Sequence, residues 1–289
     1  TGTVLNDVRA AGRFNGSRLV IDSFAARDGR EGSVAGTGAF EFAAVRGFGI
    51  DLRLQANRAR LINTDSIGGT VTGPITIRSD GAGGTIAGEV RLDGSRYRLG
   101  RAAATAPIPR LNIREINRPD GDDEGDAPAT PWRLDLRARA RGGMVVTGLG
   151  LTSEWSADLR IAGEPTNPAI SGRADLIRGD YEFAGRQFQL DRGVIRFGGE
   201  VPANPALDIV ANADTQGLNA TIRVSGTAER PEIGFTSTPA LPEDELLSRL
   251  LFGTSITSLS APEALQLAAA VASLRNGGGG LNPINAVRR

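Results

Sequence analysis

Apolar and polar residues alternate with a period of two along most of this chain. Trp155, Ala157, Leu159 and Ile161 fall on one side of an extended backbone, and Ser156, Asp158 and Arg160 fall on the other. The same alternation runs through Leu134–Leu136, Phe188–Leu190, Ile195–Phe197, Leu207–Ile209, Ile222–Val224 and Ile233–Phe235. Successive side chains on a strand point to opposite faces, so the pattern predicts sheets with one dry and one wet face. Strands of that kind are usually antiparallel, because parallel strands tend to be apolar on both faces. Arg192-Gly193, Gly198-Gly199, Gly163-Glu164-Pro165 and Asp93-Gly94 read as the turns between them. No helix-length apolar pattern precedes residue 241, which predicts a meander, sandwich or barrel and not a βαβ fold.

One joint recurs. Gly163 is followed at a distance of five by Pro168, Gly226 at the same distance by Pro231, and Gly199 more loosely by Pro205. A strand ends at Gly, a polar loop follows, and Pro sits just before the next strand, where its missing N–H costs the ladder nothing. Either this is hairpin chemistry that all-β proteins reuse, or the sheet grows by repetition.

The last fifty residues change character. Pro242 suits a first helical position, and Glu243, Asp244 and Glu245 suit the positive end of a helix. Leu246, Leu247, Leu250, Leu251 and Phe252 form an apolar stripe at helical spacing, closed by Gly253. Ser260 with Glu263 three residues on reads as a capping box for a second helix, apolar along Leu265, Leu267, Val271 and Leu274. The expected organisation is a β-trough over 1–240 with a loop break at 118–131, a helical tail over 241–276 packed on or in it, and a flexible terminus over 277–289.

Composition narrows the chemistry. His, Cys and Lys are absent, since all 33 basic residues are Arg. That removes thiol and His-based nucleophilic catalysis, disulfides, the P-loop and nearly all zinc or copper sites. Paired carboxylates are conceivable but cannot be nominated, so the chain reads as not an enzyme and without a cofactor. Lys+Arg and Asp+Glu balance at 33 each, which gives no reason to expect a nucleic-acid partner. The acidic run 120–126 lacks the alternating ligands and closing Glu of an EF-hand and reads as a solvated loop. The longest apolar stretch, 264–274, is too short to span a bilayer, which needs about 20 residues. The chain opens on Thr1, without a charged and then apolar leader, and reads as a piece of something longer.

Two stretches carry a family resemblance. Residues 178–199 (RGDYEFAGRQFQLDRGVIRFGG) with Asn204-Pro205-Ala206-Leu207-Asp208-Ile209, and residues 239–253 (PALPEDELLSRLLFG), resemble the C-terminal domain of the TamB family of bacterial envelope proteins. The match is strong over about 160–275 and only stylistic upstream. The resemblance implies an all-β fold: an elongated, curled, antiparallel-rich sheet forming an open apolar trough, β-taco-like, with a short C-terminal pair of helices. It implies a periplasmic protein of a Gram-negative envelope, anchored in the inner membrane by a segment outside these residues, its C-terminal end toward the outer membrane. The partners it implies are an Omp85-type outer-membrane protein (TamA-like), phospholipids, and outer-membrane protein or autotransporter clients.

Three functions follow as alternatives. The first is a trough that shields acyl chains or unfolded clients in a groove lined collectively by Trp155, Leu159, Ile161, Phe188, Leu190, Ile195, Phe197, Leu207, Ile209, Ile222, Val224, Ile233 and Phe235. A strand of about 7 residues spans about 23 Å, comparable to an extended acyl chain. The second is a docking module acting through the tail residues Leu246, Leu247, Leu250, Leu251, Phe252, Leu265 and Val271, or through an edge strand. The third is a passive β-rich surface, adhesin or passenger domain.

Overall fold

The computed structural model describes residues 5–42, 47–64, 66–99, 132–183, 185–215 and 217–275. The expected loop break at 118–131, the acidic run and the expected flexible terminus at 277–289 lie outside the described residues.

Thirteen strands form a single sheet whose spatial order is the chain order, β1 through β13, and which does not close on itself. The strands are β1 Asn6–Asn15, β2 Arg18–Arg27, β3 Ser33–Glu41, β4 Gly49–Asn63, β5 Ile67–Ser79, β6 Gly84–Arg98 and β7 Trp132–Gly148. They continue as β8 Leu151–Glu164, β9 Asn167–Phe183, β10 Arg186–Gly198, β11 Ala206–Thr215, β12 Leu218–Gly226 and β13 Pro231–Thr238. At about 4.8 Å per step, the stack is about 58 Å long. Two helices follow, α1 Glu243–Phe252 and α2 Ala261–Arg275, with one 3-10 turn at Ile256–Ser258 between them.

Every neighbouring pair is antiparallel except β6 and β7, which run parallel, Gly84 beside Trp132 and Arg98 beside Thr147. A parallel pair needs a crossover where a hairpin cannot serve. The chain places 33 residues between these two strands. Strand lengths of 8 to 17 residues exceed the seven or so that the alternation suggested.

The excess length is explained by bends. Two expected turns are bulges inside strands. Arg192-Gly193 lies within β10, where the register slips between Leu190 and Arg192, so Phe188–Leu190 and Ile195–Phe197 belong to one strand. Asp93-Gly94 lies within β6, where the register slips between Thr70 and Val71 of the facing strand. Similar slips fall at Ala56/Ala59 in β4, Ala140/Met144 in β7 and Glu154/Trp155 in β8. Each bulge adds a residue to one strand and bends it. Recurring near mid-strand from one strand to the next, they make a crease along the sheet, and the sheet folds along it into an open trough.

The crease has its own hydrogen-bond solution, because a bulge leaves a backbone N–H without a ladder partner. Arg58, with φ of 46°, donates its N–H to Thr72 Oγ1 at 2.9 Å. Arg60 donates to Asp28 Oδ2 at 3.0 Å, and Gly143 to Glu154 Oε1 at 2.9 Å.

The recurrent Gly-to-Pro joints are hairpin ends. Gly163 faces Pro168, and Gly226 faces Pro231, both glycines at positive φ, so these prolines stand within β9 and β13 and not just before them. In the tail, Pro242 occupies the position just before α1, not the first helical residue, and Gly253 closes the helix in the left-handed region with its N–H on the Arg249 carbonyl. Ser260 and Glu263 form the expected pair, with the Ser260 N–H donating to Glu263 Oε2 at 2.8 Å.

Candidate functional site

Residues directly paired across a ladder point to the same face, so the registers define the inner surface. One row runs Phe24, Gly36, Leu54, Ile75, Gly88, Leu136, Ile161, Ile170 from β2 to β9. A second runs Ala140, Ala157, Ala174, Ile195, Leu207 from β7 to β11. Leu190, Ala211, Ile222 and Phe235 make a third, and Ile209, Val224 and Ile233 a fourth. No charged side chain interrupts these four rows. The groove residues expected from sequence therefore share one face. Trp155, Phe188, Leu190, Ile222 and Phe235 are buried there, while Leu159, Ile161, Ile195, Phe197, Leu207, Ile209, Val224 and Ile233 are half-buried.

Alanine was not named among the expected groove residues, yet several alanines lie deep on that face. Ala56 and Ala59 are fully buried, and Ala138, Ala140, Ala157 and Ala174 nearly so. A folded sheet brings its two halves closest at the crease, and only small side chains fit there at interior packing density. The sequence signal was available in Arg137-Ala138-Arg139-Ala140-Arg141, an alternation with Ala as the apolar partner.

Trp155 is the large exception. It is 1% exposed, and its indole N–H donates to Ser153 Oγ at 2.8 Å. Ser153 in turn donates to the Val146 carbonyl at 3.3 Å, so the polar end of the ring is satisfied within the apolar face. Ala140, Trp155, Ala157 and Ala174 form one buried cluster. Phe183, Phe188, Leu190, Ile222 and Phe235 belong to a second, larger one that includes Leu246, Leu247 and Leu250 of α1 and Leu267 of α2. Leu176 and Ile209 pack against both, so the apolar interior is continuous from mid-sheet to the tail. Tyr181 packs at that end, and burial pushes its hydroxyl pKa up to about 12.

Of the expected tail residues, Leu251, Phe252 and Val271 are half-buried against the same cluster. Leu265 points away from it and is 74% exposed. The structure thus brings six of the seven together in one apolar cluster.

The outer face is the reverse. Arg137 and Arg139 both reach Asp158 across β7 and β8, Arg160 reaches Asp135 at 2.9 Å, and Arg178 reaches Glu154 at 2.7 Å. The hydrogen bond from Arg137 holds the Asp158 carboxyl below its ordinary value, and the Gly143 N–H, followed by Arg178, does the same for Glu154. Cross-strand pairing of this kind keeps the charge outside and the inner rows free of it. Among the described residues, no group of three or more Asp or Glu is placed to hold a metal ion, and no helix is long and apolar enough to cross a membrane.

Comparison with known proteins places the chain beside one family and a curated relative. A family model described as the TamB C-terminal domain matches residues 22–289. The translocation and assembly module subunit TamB of Haemophilus influenzae is 31% identical over 131 residues, covering 44% of this chain and 10% of that protein. The aligned stretch is thus a small part of that relative's length.

Proposed function

The chain belongs to the TamB family, and on that premise we propose that its folded sheet is a trough that shields acyl chains or unfolded clients within the bacterial envelope. Family membership supports a role in the translocation and assembly module. The finer reading is a non-enzymatic subunit of the periplasm, held to the inner membrane by a segment outside these residues. It works there with an Omp85-type, TamA-like outer-membrane partner in outer-membrane protein assembly, autotransporter secretion and phospholipid transport between the membranes.

The observation that carries this reading is the inner surface itself. A single-layer sheet has no second sheet to bury its dry face against, yet this one keeps apolar or glycine rows uninterrupted from β2 to β13. At about 25 cal/mol per Å² such a face is costly to leave to water. An acyl chain needs no hydrogen-bond partners and suits these apolar rows.

The test is site-specific photocrosslinking in envelope extracts. A crosslinker at Leu159, on the inner face, captures phospholipid, and one at Asp158, on the outer face, does not. If Leu159 captures none and mass spectrometry finds no phospholipid with the purified protein, the acyl-chain reading fails. Loss of Omp85-type partner in pull-downs after deletion of 241–276 tests the docking role of the tail, which unchanged capture would refute.

A further inference from the structure

Building on the acyl-chain reading of the trough, we infer that α1 is an internal occupant of the acyl-chain site. In this arrangement α1 lies on inner-face positions that an acyl chain would otherwise cover, and a bound chain displaces it.

Three observations converge on this. First, Leu246, Leu247 and Leu250 of α1 are almost completely buried among Phe183, Phe188 and Phe235. By register and alternation, those three aromatic residues stand on the same inner face as Leu190 and Ile222. The cluster is continuous, through Leu176 and Ile209, with the mid-sheet interior around Trp155. At the other end of the sheet Phe14, placed on the inner face by its register with Leu19 and Phe40, is in ring contact with Phe42, and Phe42 with Phe48, all three exposed. Among the described residues, the inner face is therefore covered at the β9–β13 end and left exposed at the β1–β3 end.

Second, the tail is braced to itself. Glu245 accepts from Arg249 Nε at 2.7 Å, Ser255 Oγ at 3.0 Å and the Ile256 N–H at 2.9 Å. The buried Ser248 hydroxyl donates to the Thr254 carbonyl at 2.8 Å. These bonds would survive if α1 left the sheet, so the tail can move as a unit about the short connection 239–242.

Third, what joins α1 to the sheet is mainly apolar packing, which an acyl chain can reproduce because it is non-directional. A polar tie is added by Arg186, at the β9–β10 hairpin, whose Nε donates to the Leu250 carbonyl at 3.3 Å. A cation there also suits the negative end of the helix. Arg186 is a positioning residue for the tail.

A ligand that binds only the tail-released state has its apparent affinity reduced by the fraction of molecules in that state. Weakening the Arg186 tie should therefore tighten acyl binding by roughly two- to fivefold. The experiment titrates the 289-residue protein with a fluorescent long-chain fatty acid, and separately with phosphatidylethanolamine vesicles carrying the same fluorophore on one acyl chain. Amide hydrogen exchange across 246–252 is followed in parallel. Binding with faster exchange in α1, and tighter binding by Arg186→Gln, supports the inference; the arm that binds identifies free fatty acid or phospholipid as the source. Leu250→Ala, which loosens the same contact from the helix side, must shift affinity in the same direction and serves if the Arg186 variant folds poorly. Saturable binding with α1 exchange unchanged or slowed overturns the displacement mechanism and leaves the trough reading intact. No binding in either arm, by wild type or variants, overturns both.

Discussion

Trp155 of β8 reaches past β9 to Gly193 of β10. A Cβ placed on Gly193 would stand 2.7 Å from Trp155 Cη2 and 2.9 Å from Leu176 Cβ. Gly193 sits at the bulge that bends β10, so the residue that lets the strand crease also makes room for the largest side chain on the inner face. Bulge and ring are two parts of one solution: the crease needs its interior filled, and the filler needs a strand without a side chain.

That pairing predicts strong coupling. Gly193→Ala overpacks the crease and should cost about 1–3 kcal/mol, read as a lower urea midpoint at unchanged slope. Trp155→Leu removes the ring and costs stability alone, but in the double variant the alanine no longer meets the ring and only its contact with Leu176 Cβ remains. The double variant should therefore be more stable than the sum of the single changes predicts. Strict additivity would show that the ring and the glycine do not constrain each other.

The same pair shows what the sequence could and could not convey. The period-two alternation located the strands and the dry face, because that signal is local to each strand. It misread Arg192-Gly193 and Asp93-Gly94 as turns, since a glycine beside a polar residue looks alike in a hairpin and in a bulge. Only the partner strand's register separates the two. Continuous strands also hid the crease, and with it the alanine floor, because a search for groove residues favours large side chains. The tail was legible as helices from Pro242, Gly253 and the Ser260–Glu263 pair, whose signals are again local. That Leu246, Leu247 and Leu250 would lie on Phe183 and Phe188 is a long-range fact that helical spacing does not contain.

The alanine floor gives a second prediction. Ala174 is 1% exposed, between Ala157 and Ile195 in register. Ala174→Leu should destabilise by about 1–3 kcal/mol, because the creased sheet cannot open to admit the extra carbons without moving both halves. It should also narrow the trough, lowering lipid capture by a crosslinker at Leu159. Arg160→Leu, one strand away on the outer face, should change stability little. Equal unfolding midpoints for the two variants would mean that Ala174 is not in a confined crease.

A third concerns the bulge N–H groups. Thr72 Oγ1 accepts from Arg58 N–H, and its own hydroxyl donates to Asp93 on the next strand. Thr72→Val keeps the shape and removes both bonds, leaving the Arg58 amide without that acceptor at a left-handed residue. The expected loss is about 0.5–1.5 kcal/mol, accompanied by faster exchange of the amides around 56–60. A variant with native exchange there would show that Thr72 does not hold the bulge.

The tail should be pH-sensitive through Glu245. The Ile256 N–H, then Arg249, hold its carboxyl below the ordinary value of 4.5. A depressed folded-state pKa means that the bracing is fully present above about pH 4.5 and is lost as pH falls through the lower folded-state value. The protein has no cysteine, so Leu265→Cys, on the exposed side of α2, accepts a single fluorescent label. Label anisotropy should fall on acidification below pH 4.5 before the fluorescence of Trp132 and Trp155 reports any change in the sheet. In Glu245→Gln the charge is gone at every pH. Its anisotropy should start lower at neutral pH and stay flat through that window until the sheet itself unfolds. If both proteins trace the same acid profile, Glu245 does not brace the tail, and the turn between α1 and α2 is held by its apolar contacts alone.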